Sequence, residues 1–248
     1  MRRIAAGLAL GPLTLTAVVG CGGDTDPTKV TVFAASSLTG TFTTLEARFE
    51  GDHPDVDVVL SFGSSTTLAE QIAAGAPADV VATADEKSIS VVADAGQLTT
   101  DPIPFATNTL VIAVPAGNPA KVTGVESLGS TDFVACDASA PCGAAAAQML
   151  ENAGISAEPK TFEPDVASTL ALVESGEIDA GIVYVTDVAA AGSAVEAIRI
   201  PVTDNVTNPY FIATVKDSAE ASAADDWVTL VTGPGGQRVL QEAGFGSP

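Results

Sequence analysis

The chain has 248 residues, a formal net charge of −21, one histidine and three cysteines, and 46% of its residues are apolar. So acidic a chain is excluded as a partner of nucleic acid or of an anionic membrane surface, both of which select basic patches. The length fits one large α/β domain or two small ones, with apolar content enough for a sizeable core.

The chain opens on a segment that reads as a targeting signal rather than as fold. Arg2 and Arg3 form its positive start, and Ile4 to Val19 is apolar but interrupted by Gly7, Gly11 and Pro12. That run is short for a membrane span. It ends in Val18-Val19-Gly20-Cys21, which is similar to the bacterial lipobox, whose cysteine is lipidated. This predicts a signal peptide over 1–20, a lipid on Cys21 and a polar tether over 21–28. The protein would then sit on the extracytoplasmic face of the cell membrane, held by its lipid anchor only. The alternative is an ordinary signal peptide followed by an unpaired cysteine.

Strands and helices then alternate. Lys29 to Ala35 reads as a strand, and Gly40 to Glu50 as a helix with Phe42, Leu45 and Phe49 at helical spacing. Val56 to Phe62 is the next strand. Thr66 to Ala74 is a helix ended by Gly75. Asp79 to Thr83 is a strand, and Asp85 caps a helix from Glu86 to Ala95. After Asp101-Pro102-Ile103-Pro104 the pattern restarts, with a strand at Thr109 to Val114 and a short helical piece at Ser127-Leu128. Phe133 to Cys136 is a strand and Gly143 to Ala153 a helix. Asp165 to Ser175 is a helix with Asp165 as its cap, and Ala180 to Tyr184 a strand. A polar stretch from Pro201 to Asn208 leads to the strand Tyr210 to Val215. Asp225 to Thr232 and Gly236 to Ala243 close the chain as helices.

This alternation implies mostly parallel sheets flanked by helices. The simplest account is two α/β lobes, 29–107 with 201–248 and an inserted 108–200. The chain would cross between them near Thr107-Asn108 and again near Pro201 to Val206. A cleft is expected at the carboxyl ends of the strands.

Two stretches point into that cleft. Phe33-Ala34-Ala35-Ser36-Ser37-Leu38 and Phe62-Gly63-Ser64-Ser65-Thr66 each end an apolar run in paired serines and then turn helical. Each places neutral hydroxyls beside the unpartnered N–H groups of a helix start, where partial positive charge favours an anion. The plainer alternative is that the serines are helix caps. Neutral donors also reconcile an anion site with the acidity of the chain.

Export places Cys136 and Cys142 in an oxidising compartment. With Cys21 lipidated they pair without remainder, and a small disulfide loop is expected in preference to two free thiols. No cation site is expected, since His53 is the only histidine and sits beside Pro54 in a polar turn. Asp79 reads as a structural carboxylate bonded to backbone.

The ordered motifs together resemble a known family. Phe33-Ala34-Ala35-Ser36-Ser37-Leu38, Phe62-Gly63-Ser64-Ser65-Thr66-Thr67-Leu68, Gly75-Ala76-Pro77-Ala78-Asp79-Val80 and Gly181-Ile182-Val183-Tyr184 are similar to those of the molybdate-binding proteins of ABC importers. The similarity covers about residues 29 to 245. It implies a two-lobed periplasmic-binding-protein fold, no enzymatic activity and no cofactor. It also implies a monomer that delivers molybdate, and tungstate as well, to an ABC permease. Carried over position by position, the ligand-contacting residues are Ser37, Ser65, the backbone N–H of Cys142, the backbone N–H of Val166, and Tyr184. Relatives often carry alanine where Cys142 stands, so its side chain is not required.

The chemistry runs the same way. A tetrahedral dianion only accepts hydrogen bonds, and hydroxyls with helix-start amides supply donors without the desolvation cost of buried lysine or arginine. An enzyme is disfavoured, since neither Gly-x-Ser-x-Gly nor a P-loop occurs. An organic-acid binder would set an arginine against the carboxylate, and Arg48, Arg199 and Arg238 do not fall at strand-to-helix turns. A binder of another tetrahedral oxyanion, sulfate or phosphate, is the standing alternative.

Overall fold

The computed structural model describes residues 27–248. The expected signal peptide, Cys21 and most of the tether lie outside the described residues. Seventeen main elements alternate through the rest: β1 (Thr28–Ala35), α1 (Thr39–Asp52), β2 (Val56–Gly63), α2 (Ser65–Ala73), β3 (Val80–Thr83), α3 (Glu86–Asp94), β4 (Ile103–Pro115), β5 (Phe133–Cys136), α4 (Pro141–Asn152), β6 (Thr161–Glu163), α5 (Val166–Glu174), β7 (Ala180–Tyr184), α6 (Val185–Ala191), β8 (Val195–Arg199), β9 (Thr207–Thr214), α7 (Ala221–Thr232) and α8 (Pro234–Glu242).

The strands join in the order β2-β1-β3-β9-β4-β7-β5-β6, with β8 on β4. β1 lies parallel to β2 and β3, and β5 lies parallel to β6 and β7. These are the strands that feed helices, as βαβ connection requires. Between the two parallel sets run β9, antiparallel to β3, and β4, antiparallel to β7, β8 and β9.

Burial separates along the same line. One core gathers residues between Leu110 and Ile200. A second and a smaller third gather residues from β1–β3, their helices, β9 and the closing helices. The period of α1 explains its place in the second core. Phe42, Leu45 and Phe49 share its buried face, where Trp227 of α7 meets Phe42 and Phe49 edge-on, each 5.6 Å between ring centroids. Such pairs add about 0.5–1.5 kcal/mol to the area they bury.

β4 belongs to both halves. Its Phe105 and Ala106 enter the second core and its Leu110 to Val114 the first. The return crossing is pinned by Asn205, whose Oδ1 accepts Leu110 N–H (3.1 Å) and whose Nδ2 donates to Leu110 O (2.8 Å), imitating a strand neighbour.

Several boundaries differ from expectation. β4 starts at Ile103, not Thr109, because the register shift between Pro104 and Ala106 accommodates the proline. β6 and β8 carried no visible period, being a three-residue edge strand and a five-residue strand that is largely exposed. α6 follows β7 with no turn residue between them. Its start is secured instead by Asp187, whose carboxylate accepts Tyr184 N–H at 2.8 Å.

Candidate functional site

Six strand ends meet at one cleft. β1 delivers Ala35, Ser36 and Ser37, β2 delivers Gly63, Ser64 and Ser65, and Ala84 follows β3. From the other half come Ala140, Pro141 and Cys142 after β5, Asp165 and Val166 after β6, and Tyr184 at the end of β7. The free space between these residues is about 10 Å³, on the scale of a single water-sized body and far below the pockets that hold drug-sized molecules, about 300–1,000 Å³. The halves touch over it: Thr66 Oγ1 of α2 donates to Ser139 O at 2.7 Å. All five expected ligand residues, Ser37, Ser65, Cys142, Val166 and Tyr184, therefore line one small cleft. No lysine or arginine is among its lining residues.

The serines do not cap. Neither the Ser36–Leu38 turn nor α2 has a side-chain cap at its start, so that alternative is corrected. Ser65 Oγ accepts Ala84 N–H across to the end of β3 (3.0 Å). Ser37 Oγ lies 2.7 Å from Tyr210 Oη. True capping in the molecule is done by aspartates: Asp85 accepts Ser88 N–H and Asp165 accepts Ser168 N–H, each at 2.9 Å. That commitment holds the one carboxylate lining the cleft to its own helix.

The second half offers amides. Pro141 opens α4, so Cys142 is the first residue of that helix with an N–H. Val166 opens α5 directly after its cap. First-turn amides have no acceptor within their helix and carry the positive end of the helix dipole. Cys136 and Cys142 are joined as a disulfide with Cα atoms 5.7 Å apart. Gly143 makes the loop possible, because a Cβ there would lie 2.0 Å from Asp137 O.

Behind the cleft lies a polar layer that sequence reading missed. Tyr184 Oη accepts from Asn208 Nδ2 (3.0 Å), which also donates to Ala84 O (3.1 Å). Asn208 Oδ1 is buried with no partner among the described residues, at a cost of about 1–3 kcal/mol. Asn108 Nδ2 donates to Thr186 Oγ1 (2.7 Å) and, at the 3.5 Å limit, to Tyr210 Oη. Burial is the main force pushing both tyrosine pKa values upward, so both rings stay protonated. Burial also pushes the Asp187 carboxyl up to about 7, against the lowering effect of the Tyr184 N–H bond. The available signal was a buried asparagine in each crossing strand, at positions whose neighbours alternate as core.

A broader groove lies at the opposite ends of the strands, beside Lys29, Asp79, Lys216 and Ser218. There Asp79 accepts Thr31 N–H (2.7 Å) and Ser218 Oγ–H (2.6 Å), the structural task expected of it.

Residues 30–246 match the family model of bacterial extracellular solute-binding proteins. The chain belongs to that family. Among its relatives is the molybdate-binding protein ModA of Mycobacterium tuberculosis, 38% identical over 89% of this chain and 85% of that protein. The molybdate-binding protein ModA of Escherichia coli is 32% identical over 89% of this chain and 90% of that one. Among solved structures, the periplasmic molybdate-binding protein of Azotobacter vinelandii superposes with a TM-score of 0.78, covering 88% of this chain and 99% of that one at 24% identity.

Proposed function

We propose that this protein captures molybdate, and tungstate with it, in the cleft between its two halves and delivers it to an ABC permease. The observation that carries the reading is the lining itself: neutral donors from five strand ends converge on one small space without a single cation. Ser37, Ser65 and Tyr184 supply hydroxyls, and Cys142 and Val166 supply backbone N–H groups. The relatives named for molybdate support the choice of ion.

The division into lobes 29–107 with 201–248 and 108–200 belongs to the same proposal. The cores separate along it, and closure of one half on the other would wrap the ion. Cys21 would carry the lipid that keeps a monomeric protein at the outer face of the membrane.

A thermal shift series tests the ligand. Ligand binding that favours the folded state stabilises by RT ln(1 + [L]/Kd), about 4 kcal/mol at a thousandfold excess. Molybdate and tungstate are expected to raise the melting temperature strongly, and sulfate and phosphate to have little effect. A flat response to molybdate would remove the assignment, and a response to sulfate or phosphate alone would install the alternative oxyanion.

A further inference from the structure

We infer that Asn108 and Asn208 are a positioning pair that forces the cleft hydroxyls to point their protons at the ligand. The inference rests on the oxyanion reading above and assigns residues that do not line the cleft.

The two asparagines face each other across the crossing strands, Asn108 on β4 directly opposite Asn208 on β9. Each has its amide orientation set by a backbone group that allows one choice. Asn108 Oδ1 accepts Thr109 N–H at 3.0 Å, so its NH₂ faces Thr186 and Tyr210. Asn208 sits against Ala84 O, a pure acceptor, so the group 3.1 Å away must be its NH₂.

That orientation propagates. A hydroxyl has one proton, and once another donor occupies its oxygen the proton goes elsewhere. Asn208 donates to Tyr184 Oη, so the Tyr184 proton turns to the cleft. Asn108 donates towards Tyr210 Oη at the 3.5 Å limit, which directs the Tyr210 proton away from Asn108; we assign that proton to Ser37 Oγ, so that the Ser37 proton turns to the cleft. Ser65 is treated alike by Ala84 N–H. All three hydroxyls thereby aim their protons at the cleft, as an oxygen shell without protons requires.

The unpaired Asn208 Oδ1 fits this account. The amide keeps an acceptor unsatisfied in order to hold two donor bonds. Each asparagine also spans the halves. Asn208 reaches from Ala84 to Tyr184, and Asn108 from Thr186 to Tyr210. Donor polarity is therefore set where the chain crosses.

Calorimetric titration with molybdate tests the pair by double-mutant cycles. Asn208→Ala is expected to bind about tenfold more weakly, and to add nothing in a Tyr184→Phe background. Tyr210→Phe, which keeps the ring and removes only the bridging hydroxyl, is expected to weaken binding similarly and to add nothing to Ser37→Ala. The ratio of molybdate to hydrogen-phosphate affinity should fall in both variants, because a released hydroxyl can accept the phosphate proton. A purely structural role would leave that ratio unchanged.

Wild-type affinity in both variants, or losses that add in full, would overturn the pair's role and leave the function standing. If Asn208→Ala does not fold, Asn108→Ala decides, expected to weaken binding and to add nothing in a Ser37→Ala background, with unchanged or fully additive affinity overturning the pair's role. A wild-type protein that binds sulfate or phosphate instead is titrated with that ion in the same cycles. A wild-type protein that binds no tetrahedral oxyanion overturns the functional reading and this role together.

Discussion

The two faces of the cleft are built from different parts. The face after β1 and β2 presents side-chain hydroxyls, Ser37 and Ser65, each tied to a partner behind it. The face after β5 and β6 presents the backbone N–H groups at the starts of α4 and α5. Side-chain donors demand residue identity, whereas backbone donors demand only helix geometry. Serine is therefore expected to be indispensable on one face, while Cys142 and Val166 are replaceable by any residue that keeps its N–H. Tyr184 is the exception, a side-chain hydroxyl on the amide face.

The largest break in this comparison is the double variant Ser37→Ala with Ser65→Ala. Each loss of a donor to a charged oxygen costs about 1.5–3 kcal/mol, so the pair together is expected to abolish molybdate binding at micromolar protein in a calorimetric titration. Unchanged binding would mean that the hydroxyls serve only their partners, Tyr210 and Ala84.

Val166→Pro attacks the other face. Proline suits the first helical position and removes only an N–H that the helix does not use. The extended backbone of Asp165 (φ −153°, ψ 172°) already suits a following proline. Binding is expected to fall by about 1.5–3 kcal/mol with folding retained.

Opening the disulfide between Cys136 and Cys142, as in the Cys136→Ser/Cys142→Ser double variant, sharpens the same face. So short a loop contributes about 2 kcal/mol by chain entropy. The melting temperature is expected to drop, while molybdate affinity falls only slightly because the Cys142 N–H survives.

Asp187 adds a pH term beneath Tyr184. Its folded pKa, about 7, lies above its unfolded value near 3.8. The folded state therefore holds the proton more tightly. The associated stability is full below about pH 4 and is lost as pH rises through 7. Asp187→Asn can still accept Tyr184 N–H through Oδ1 and is expected to stabilise the protein by about 1–3 kcal/mol at pH 8. No gain at pH 8 relative to pH 4 in chemical denaturation would show that the carboxylate is solvated.

The smallest effect is expected for Val166→Ala, which keeps the amide and should leave molybdate affinity within about 0.5 kcal/mol of wild type. The contrast with Val166→Pro at the same position isolates the backbone donor.

Most of the element order was legible in the chain, since apolar periodicity and glycine stops report local structure directly. Phe133–Cys136 and Ala180–Tyr184 were read to the residue. β6, β8 and α6 were not, because short edge elements and a helix without a preceding turn leave little periodic trace. The aspartate caps were legible from their position before helical runs, and the same rule misassigned the serines as possible caps, since nothing local distinguishes a serine that caps from one that bonds across to β3 or β9.

The sequence by itself determined the repeated strand-serine-helix turns, the neutral character of the donors and the cysteine spacing, all of which are local patterns. Only the tertiary structure decided what stands behind the donors. Asn108 and Asn208 lie a hundred residues apart and become opposite partners through strand register. Tyr210 meets Ser37 over 173 positions. The direction of a hydroxyl proton depends on which group fills its oxygen, and that group arrives by packing rather than by sequence neighbourhood.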